Sequence, residues 1–93
     1  MKKHLSNILQ MGKVVTTRHA LDILSPADIT EALRRHESCD WGEVCEEDWA
    51  RNNDAVMKGL RILSAYRNDS GNVFWIITEA DRSYTTVLMP SDY

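Results

Sequence analysis

Three side chains of the sequence could carry acid–base chemistry: His36, Glu79 and Arg82. A histidine or a glutamate can act as a general base, and an arginine can neutralise the charge of a phosphate group. Together these groups would cleave a phosphodiester bond if the fold brought them to one face. Glu79 and Arg82 also bracket a short turn, where they could simply form an exposed ion pair that contributes at most about 1 kcal/mol.

A metal centre could be drawn from His36, Cys39 and Cys45, with His19 or His4 as the fourth ligand. Structural zinc sites commonly pair two cysteines as Cys-x-x-Cys, and this spacing is absent from the sequence. His36 also continues the apolar face of a predicted helix, which favours a buried, hydrogen-bonded side chain. The sequence contains neither common glycine-rich phosphate-binding loop. We therefore predict no metal and no cofactor.

The two cysteines also indicate whether the chain has a reactive thiol and in which cellular compartment it is found. Cys45 stands near the positive end of a predicted helix, which could activate its thiol. Its place on the apolar stripe of that helix predicts a core residue instead. The residues that follow Met1 to Lys3 are too polar for a secretory signal, so we expect a cytoplasmic protein with reduced thiols.

A binding surface is the other candidate for function. Residues 39–57 carry six acidic side chains and one basic side chain. Such a block could attract a basic partner, although a solvated helix face has the same composition. Tryptophan and tyrosine are favoured anchors at interfaces, and Trp41 lies in a predicted loop, where it could instead plug the end of the helical layer. The candidate binding residues are Asp40, Trp41, Glu43, Glu46, Glu47, Trp75 and Arg82.

The length and composition of the chain limit which of these functions are plausible. The chain has 93 residues, of which 43% are hydrophobic and 27% charged, with a formal net charge of −3. These values predict a single domain over residues 1–93 and argue against nucleic acid as the partner. No stretch approaches the roughly 18 apolar residues that a membrane helix needs, so we expect no membrane association.

Helices are predicted in the first two thirds of the chain. Residues 1–11 are weakly amphipathic, and 13–17 resemble an isolated edge strand. A short helix over about 18–24 should bury Ala20, Leu21 and Leu24. Ser25 and Pro26 mark the start of a helix that runs to about residue 36 and buries Ile29, Ala32, Leu33 and His36. A third helix over about 45–58 should bury Cys45, Trp49, Asn52 and Val56 and end at Gly59.

The last third of the chain reads as an antiparallel meander. Strands are predicted over residues 60–66, 73–78 and 83–89, with a four-residue turn ending at Gly71 and a stop at Pro90. The strand over 73–78 is apolar on both faces and should be central. The predicted fold is α+β, with three N-terminal helices packed on a C-terminal antiparallel meander of three or four strands.

This order of elements is loosely similar to that of barnase and RelE-type toxins, which are small ribonucleases. The resemblance implies RNA cleavage on one sheet face by His36, Glu79 and Arg82. The acidic charge balance argues against this function, because RNA cleavage requires attraction of phosphate.

Longer blocks of sequence resemble a family of small bacterial proteins often labelled plasmid-related. The blocks are residues 40–42, 61–66, 75–83 and 85–88 and the tail 90–93, and the most specific is Ile-Thr-Glu-Ala-Asp-Arg-Ser at 77–83. The resemblance covers residues 12–93, and Cys39 replaces the glycine usual in that family. It implies a protein carried by plasmids, prophages or integrated elements, and it assigns no catalytic residue.

Three functions follow as hypotheses. The favoured one is a non-enzymatic binding module of a mobile element that regulates or inhibits a host or element-encoded protein, for example in a restriction or CRISPR defence system. The first alternative is a toxin-like ribonuclease. The second is a structural homodimer, because strand 73–78 and the strand after it could present an exposed sheet face or edge.

Overall fold

The computed structural model describes residues 8–93. Leu5 and His4, on which the predicted N-terminal amphipathic pattern and one metal-ligand set depended, lie outside the described residues. Residues 8–12 form no helix or strand. The regular elements are β1 (Lys13–Thr16), α1 (Arg18–Ile23), α2 (Pro26–Glu37), α3 (Glu46–Lys58), β2 (Ile62–Arg67), β3 (Val73–Thr78) and β4 (Tyr84–Leu88), followed by a 3₁₀ turn (Pro90–Asp92).

The first two helices begin at side-chain caps. The hydroxyl of Thr17 accepts the backbone N–H of Ala20 at 3.1 Å and starts α1. At the start of α2, the Ser25 hydroxyl accepts the N–H of Asp28, and the Asp28 carboxylate accepts the N–H of Ser25, both at 3.0 Å. This reciprocal capping box satisfies two backbone donors that a helix start leaves unpaired. The predicted start of α2 at Pro26 is confirmed.

The third helix starts one residue later than predicted and ends as predicted. Gly59 closes α3 in the left-handed conformation, at φ +67°. Cys45 lies outside the helix and is exposed, so its predicted place in the core is wrong. In α1, Leu21 is 55% exposed although it was predicted to be buried. Cys45 is the N-cap of α3, where one residue of offset turns a side chain from the core toward solvent.

The sheet is mixed, with the order β1-β4-β3-β2. Its three C-terminal strands form the predicted antiparallel meander, and β3 is central. However, β1 precedes the helices and pairs parallel with β4, so the prediction of three N-terminal helices on a purely antiparallel sheet is wrong in these two respects. The chain leaves β1, passes through all three helices, and enters the sheet again at the far edge. After two hairpins β4 therefore reaches β1 running in the same direction.

All three helices pack on the same face of the sheet. Ala20 of α1 and Ala32 of α2 lie in one core cluster with alternate residues of the strands, among them Ile76. Ala55 of α3 lies in a second cluster with Ile62, which belongs to the same sheet face. The opposite face receives no helix residue in either core cluster of the described chain, and we call it the helix-free face. None of the helices within residues 8–93 combines the length and the apolar character needed to cross a bilayer.

The free edge of β2 is covered by the loop that joins α2 to α3. The N–H of Ala65 donates to the carbonyl of Trp41 at 3.2 Å, and the N–H of Glu43 donates to the carbonyl of Ala65 at 2.7 Å. The Asn52 side-chain amide donates to the carbonyl of Leu63 at 2.8 Å. These bonds satisfy the backbone groups of a strand edge that could otherwise pair with another chain.

Candidate functional site

His36 lies in the interior, at the centre of a chain of buried hydrogen bonds. It stands on the last turn of α2 with no exposed surface. Its Nδ1 lies 2.6 Å from the Ser64 hydroxyl, and its Nε2 lies 2.8 Å from the Thr78 hydroxyl. The Thr78 hydroxyl lies 2.7 Å from that of Thr85, which donates to the carbonyl of Met11 at 2.7 Å. The imidazole is therefore inaccessible to a substrate in this structure.

Burial also fixes the protonation of His36. It lowers the pKa of the imidazole to about 4, and the positive charge of Arg82 acts in the same direction. A buried histidine pays the cost of desolvation only when it is charged, so the neutral form is the stable one near pH 7. The Trp41 ring packs against it edge to face, with the ring centroids 5.6 Å apart.

The guanidinium of Arg82 donates its hydrogen bonds to backbone carbonyls. One guanidinium nitrogen donates to the carbonyl of Leu60 at 2.8 Å and to that of Glu79 at 3.0 Å. The other donates to the carbonyl of Ala55 in the last turn of α3 at 2.9 Å. Arg82 thus joins the β3–β4 turn to the C-terminal end of α3, where the carbonyl of Ala55 also accepts the backbone N–H groups of Gly59 and Leu60.

Glu79 lies on the surface and not beside the imidazole. Its carboxylate stands 4.0 Å from the Arg61 guanidinium, and both side chains are about half exposed. Its backbone carbonyl, and not its carboxylate, receives the Arg82 guanidinium. The structure thus places His36 in the core, Arg82 at a helix end and Glu79 on the surface, and it does not gather the three into one open cleft.

The candidate metal ligands do not assemble either. Among residues 8–93 no group of three or more histidine, cysteine or acidic side chains is arranged to hold a metal ion. His19 instead lies 3.0 Å from the Asp92 carboxylate on the surface. Burial raises the pKa of the Cys39 thiol, which keeps it protonated.

The predicted binding residues separate into core and surface. Trp41 is completely buried, and its indole N–H donates to the Asn53 side chain at 2.9 Å. It therefore plugs the helical layer and contributes nothing to an exposed surface. The Asp40 carboxylate accepts two bonds from Arg35, and this hydrogen bonding lowers the pKa of Asp40. Glu43 pairs with Arg67 at 3.2 Å.

Trp75 remains near the surface, on the helix-free face, where it is accompanied by two residues that were not among the predicted binding residues. The Tyr93 ring packs against Trp75 edge to face with centroids 5.8 Å apart. The Arg61 guanidinium lies 5.2 Å from the centroid of the Tyr93 ring and donates to the Tyr93 hydroxyl at 2.7 Å. The 3₁₀ turn begun by Pro90 carries Tyr93 back over the sheet. Pro90, which ends the predicted strand, was the sequence signal for this change of chain direction.

A groove connects this aromatic cluster to the acidic start of α3. The groove has a volume of about 290 Å³ and is lined by Asp48, Arg51, Asn52, Arg61 and Leu63. Glu46 and Glu47 stand in the same first turn as Asp48 and are exposed. We use the name acidic–aromatic surface for the set Glu46, Glu47, Asp48, Arg51, Arg61, Trp75 and Tyr93.

Comparisons of the chain with family models, with curated proteins and with solved structures found no match.

Proposed function

We propose that this chain is a small non-enzymatic binding module, carried by a mobile element, that docks on a host or element-encoded protein and regulates or inhibits it. A component of a restriction or CRISPR defence system is one example of such a target. The observation that carries the proposal is the acidic–aromatic surface, which joins exposed carboxylates to an ordered aromatic cluster. The mobile-element part of the proposal rests on the resemblance of the sequence blocks, above all residues 77–83, to plasmid-related proteins.

The aromatic part of this surface has the composition of an interface anchor. Tryptophan, tyrosine and arginine are the residue types that most often dominate binding energy. Tyr93 is 68% exposed, and its ring is held between Trp75 and Arg61. A side chain that is already held in place loses less conformational entropy on binding than a free one. A partner would therefore meet a largely preorganised contact.

The acidic part indicates the charge of the partner. Glu46, Glu47 and Asp48 share the first turn of α3, and Arg51 is the basic residue that pairs with Glu47 and Asp48, at 3.7 and 2.8 Å. One arginine leaves the turn with net negative charge. Charged groups at the rim of an interface accelerate association with an oppositely charged surface. We therefore expect a partner with a basic rim around an apolar pocket.

The placement of the candidate catalytic groups supports a role in binding over catalysis. The imidazole of His36 is buried, and the guanidinium of Arg82 is bonded to the carbonyls that end α3. The imidazole therefore could not reach a phosphate group without unfolding part of the core, and the guanidinium would have to give up the carbonyls that it binds.

Quantitative affinity capture from lysate of a host strain tests the proposal. The immobilised chain is compared with Tyr93→Ala and with the double variant Glu46→Lys, Glu47→Lys. We expect each to reduce capture of a specific protein at least tenfold. Asp22→Lys on α1 reverses an exposed charge outside the acidic–aromatic surface and serves as the matched control. Capture that all four proteins share equally would contradict the proposal.

An activity assay with RNA tests the alternative function, a ribonuclease. The purified chain is incubated with a single-stranded RNA, and the products are separated by length. We expect the RNA to remain intact. Cleavage that Glu79→Gln abolishes would contradict the binding proposal and favour the ribonuclease.

A further inference from the structure

Among residues 8–93, no strand pairs with the outer edge of β1. The backbone N–H of Lys13 donates to the carbonyl of Ser83 at 3.1 Å, so odd-numbered residues of β1 direct their backbone groups toward β4. Because these groups alternate along a strand, those of Val14 and Thr16 point away from the sheet. Within residues 8–93, no hydrogen bond reaches these outward groups. Such an edge is a template for another strand.

We propose that a second copy of this chain pairs with this edge, antiparallel and about a two-fold axis through Val15. In this register Val14 of each copy faces Thr16 of the other, and the two pairs exchange four backbone hydrogen bonds. Registers shifted by two residues would have to use Gly12, which has φ +64°, or Arg18, which is helical. The length of the strand thus selects one register.

The side chains are complementary in the same register. A groove of about 290 Å³ between β1, α1 and α2 is lined by Thr16, Leu21, Leu24, Pro26, Ile29 and Thr30. Val14 is 40% exposed and Leu21 is 55% exposed. Because Val14 of one copy lies opposite Thr16 of the other, its isopropyl group stands at the mouth of that groove. Each copy therefore supplies an apolar side chain and a site that buries it.

Charges at the ends of the strand also match. The same register places Lys13 opposite Thr17 of the second copy. The Thr17 hydroxyl donates to the Asp92 carboxylate at 2.7 Å, so a carboxylate lies beside that position. The Lys13 side chain is long enough to approach it, and the two-fold axis repeats this pair of unlike charges at the other end.

The resulting dimer would have one continuous eight-stranded sheet. Because β2 is the opposite edge of the sheet from β1, the acidic–aromatic surface of each copy stays open. The dimer therefore presents two binding surfaces, and its existence does not depend on the proposed partner.

Sedimentation velocity of the full chain between about 1 µM and 0.1 mM measures the association. We expect a dimer whose dissociation constant rises at least tenfold in Val14→Lys, which sets a charge against the groove. Met57→Lys makes the same kind of change at a side chain that is 84% exposed on α3 and should leave the constant unchanged. Val14→Pro removes an outward N–H that no hydrogen bond within residues 8–93 uses, so it should also weaken the dimer. Circular dichroism verifies that each variant is folded.

A disulfide tests the register. Val15 of the two copies would form a non-hydrogen-bonded pair, with Cα atoms about 4.5 Å apart. That separation lies within the range a disulfide spans, so Val15→Cys should give a covalent dimer, linked through the introduced thiols, on mild oxidation, and Val14→Cys should not. If the wild-type chain is monomeric over this concentration range, the proposal that a second copy pairs with β1 is overturned. A dimer that responds to Trp75→Lys and not to Val14→Lys would also overturn it.

Discussion

The Nε2 atom of His36 and the hydroxyl of Thr78 are joined by a 2.8 Å hydrogen bond in the core, and its direction follows from the groups beyond it. Thr85 donates its single hydroxyl proton to the carbonyl of Met11, so Thr78 must donate to Thr85. Thr78 then accepts from the Nε2–H of His36. Neutral histidine carries one ring proton, so Nδ1 accepts from Ser64. The network therefore holds α2 against β2, β3 and β4 through hydrogen bonds that satisfy both ring nitrogens.

This network makes stability depend on pH between about 6.5 and 4. Burial lowers the pKa of His36 from its ordinary value of 6.5 to about 4 in the folded chain, so the unfolded chain takes up the proton first as the pH falls. The stabilisation from the neutral imidazole is complete above pH 6.5 and is lost progressively toward pH 4. The full loss is about 3 kcal/mol. Urea unfolding at several pH values measures it.

The matched control for the pH series is the surface histidine. His19→Gln removes the other histidine of the described chain, which pairs with Asp92 on the surface. We expect it to retain the slope between pH 6.5 and 4.5, whereas His36→Gln should flatten that slope while lowering stability at pH 7. A slope that followed His19 would refute the assignment.

Thr78→Val tests the middle of the network. The substitution preserves shape but leaves the Nε2–H of His36 without an acceptor and the Thr85 hydroxyl without a donor. An unsatisfied buried polar group costs about 1–3 kcal/mol, so the free energy of unfolding should fall by about 2–4 kcal/mol. Thr86→Val, on the partly exposed helix-free face, is the control and should change it by less than about 0.5 kcal/mol. Equal losses in urea unfolding would contradict the network.

The sequence could predict that His36 faces the core, because it continues the apolar spacing of α2. It could not predict the partners, since Ser64 and Thr78 lie 28 and 42 residues further along the chain. Helical spacing is a local signal, whereas the register that brings two hydroxyls to one imidazole is set by the whole sheet. The catalytic set drawn from residue types alone had no information on this packing.

Other differences also arise from contacts between segments that are distant in the sequence. The β-branched residues of β1 predicted a strand, but strand direction depends on how many times the chain crosses the sheet afterwards. The sequence predicts correctly that Trp41 lies in a loop, but it does not show that this loop packs against β2 and points the indole inward. Tyr93 joins the site because the 3₁₀ turn folds back over Trp75, a contact that no periodicity reveals.

Arg82 should behave as a structural cap. Arg82→Lys keeps the charge but replaces a planar guanidinium, whose two terminal nitrogens reach the carbonyls of Leu60 and Ala55, with a single ammonium nitrogen. We expect a loss of about 1–3 kcal/mol in urea unfolding and faster amide exchange in the last turn of α3. Arg67→Lys alters an exposed ion pair with Glu43 and should cost less than about 0.5 kcal/mol. An unchanged exchange rate in α3 would refute the capping role.

Gly42 should be harder to replace than Gly71. Its φ is +74°, and an added Cβ would overlap the carbonyl oxygen of Ala65 and lie 2.7 Å from Cδ1 of Tyr66. Because both neighbours belong to β2, the loop that covers the β2 edge would have to move away. We expect Gly42→Ala to lower the free energy of unfolding by about 3 kcal/mol or more.

Gly71→Ala measures the cost of a left-handed backbone alone, without the steric overlap that an added Cβ meets at Gly42. Gly71 has a similar φ of +88°, but an added Cβ would meet no atom within 4 Å. Its replacement should therefore cost only the strain of a left-handed alanine, about 1–2 kcal/mol. Thermal and urea unfolding of both variants measure the difference. If Gly42→Ala were no more harmful than Gly71→Ala, the close packing of the 41–43 loop on β2 would be refuted.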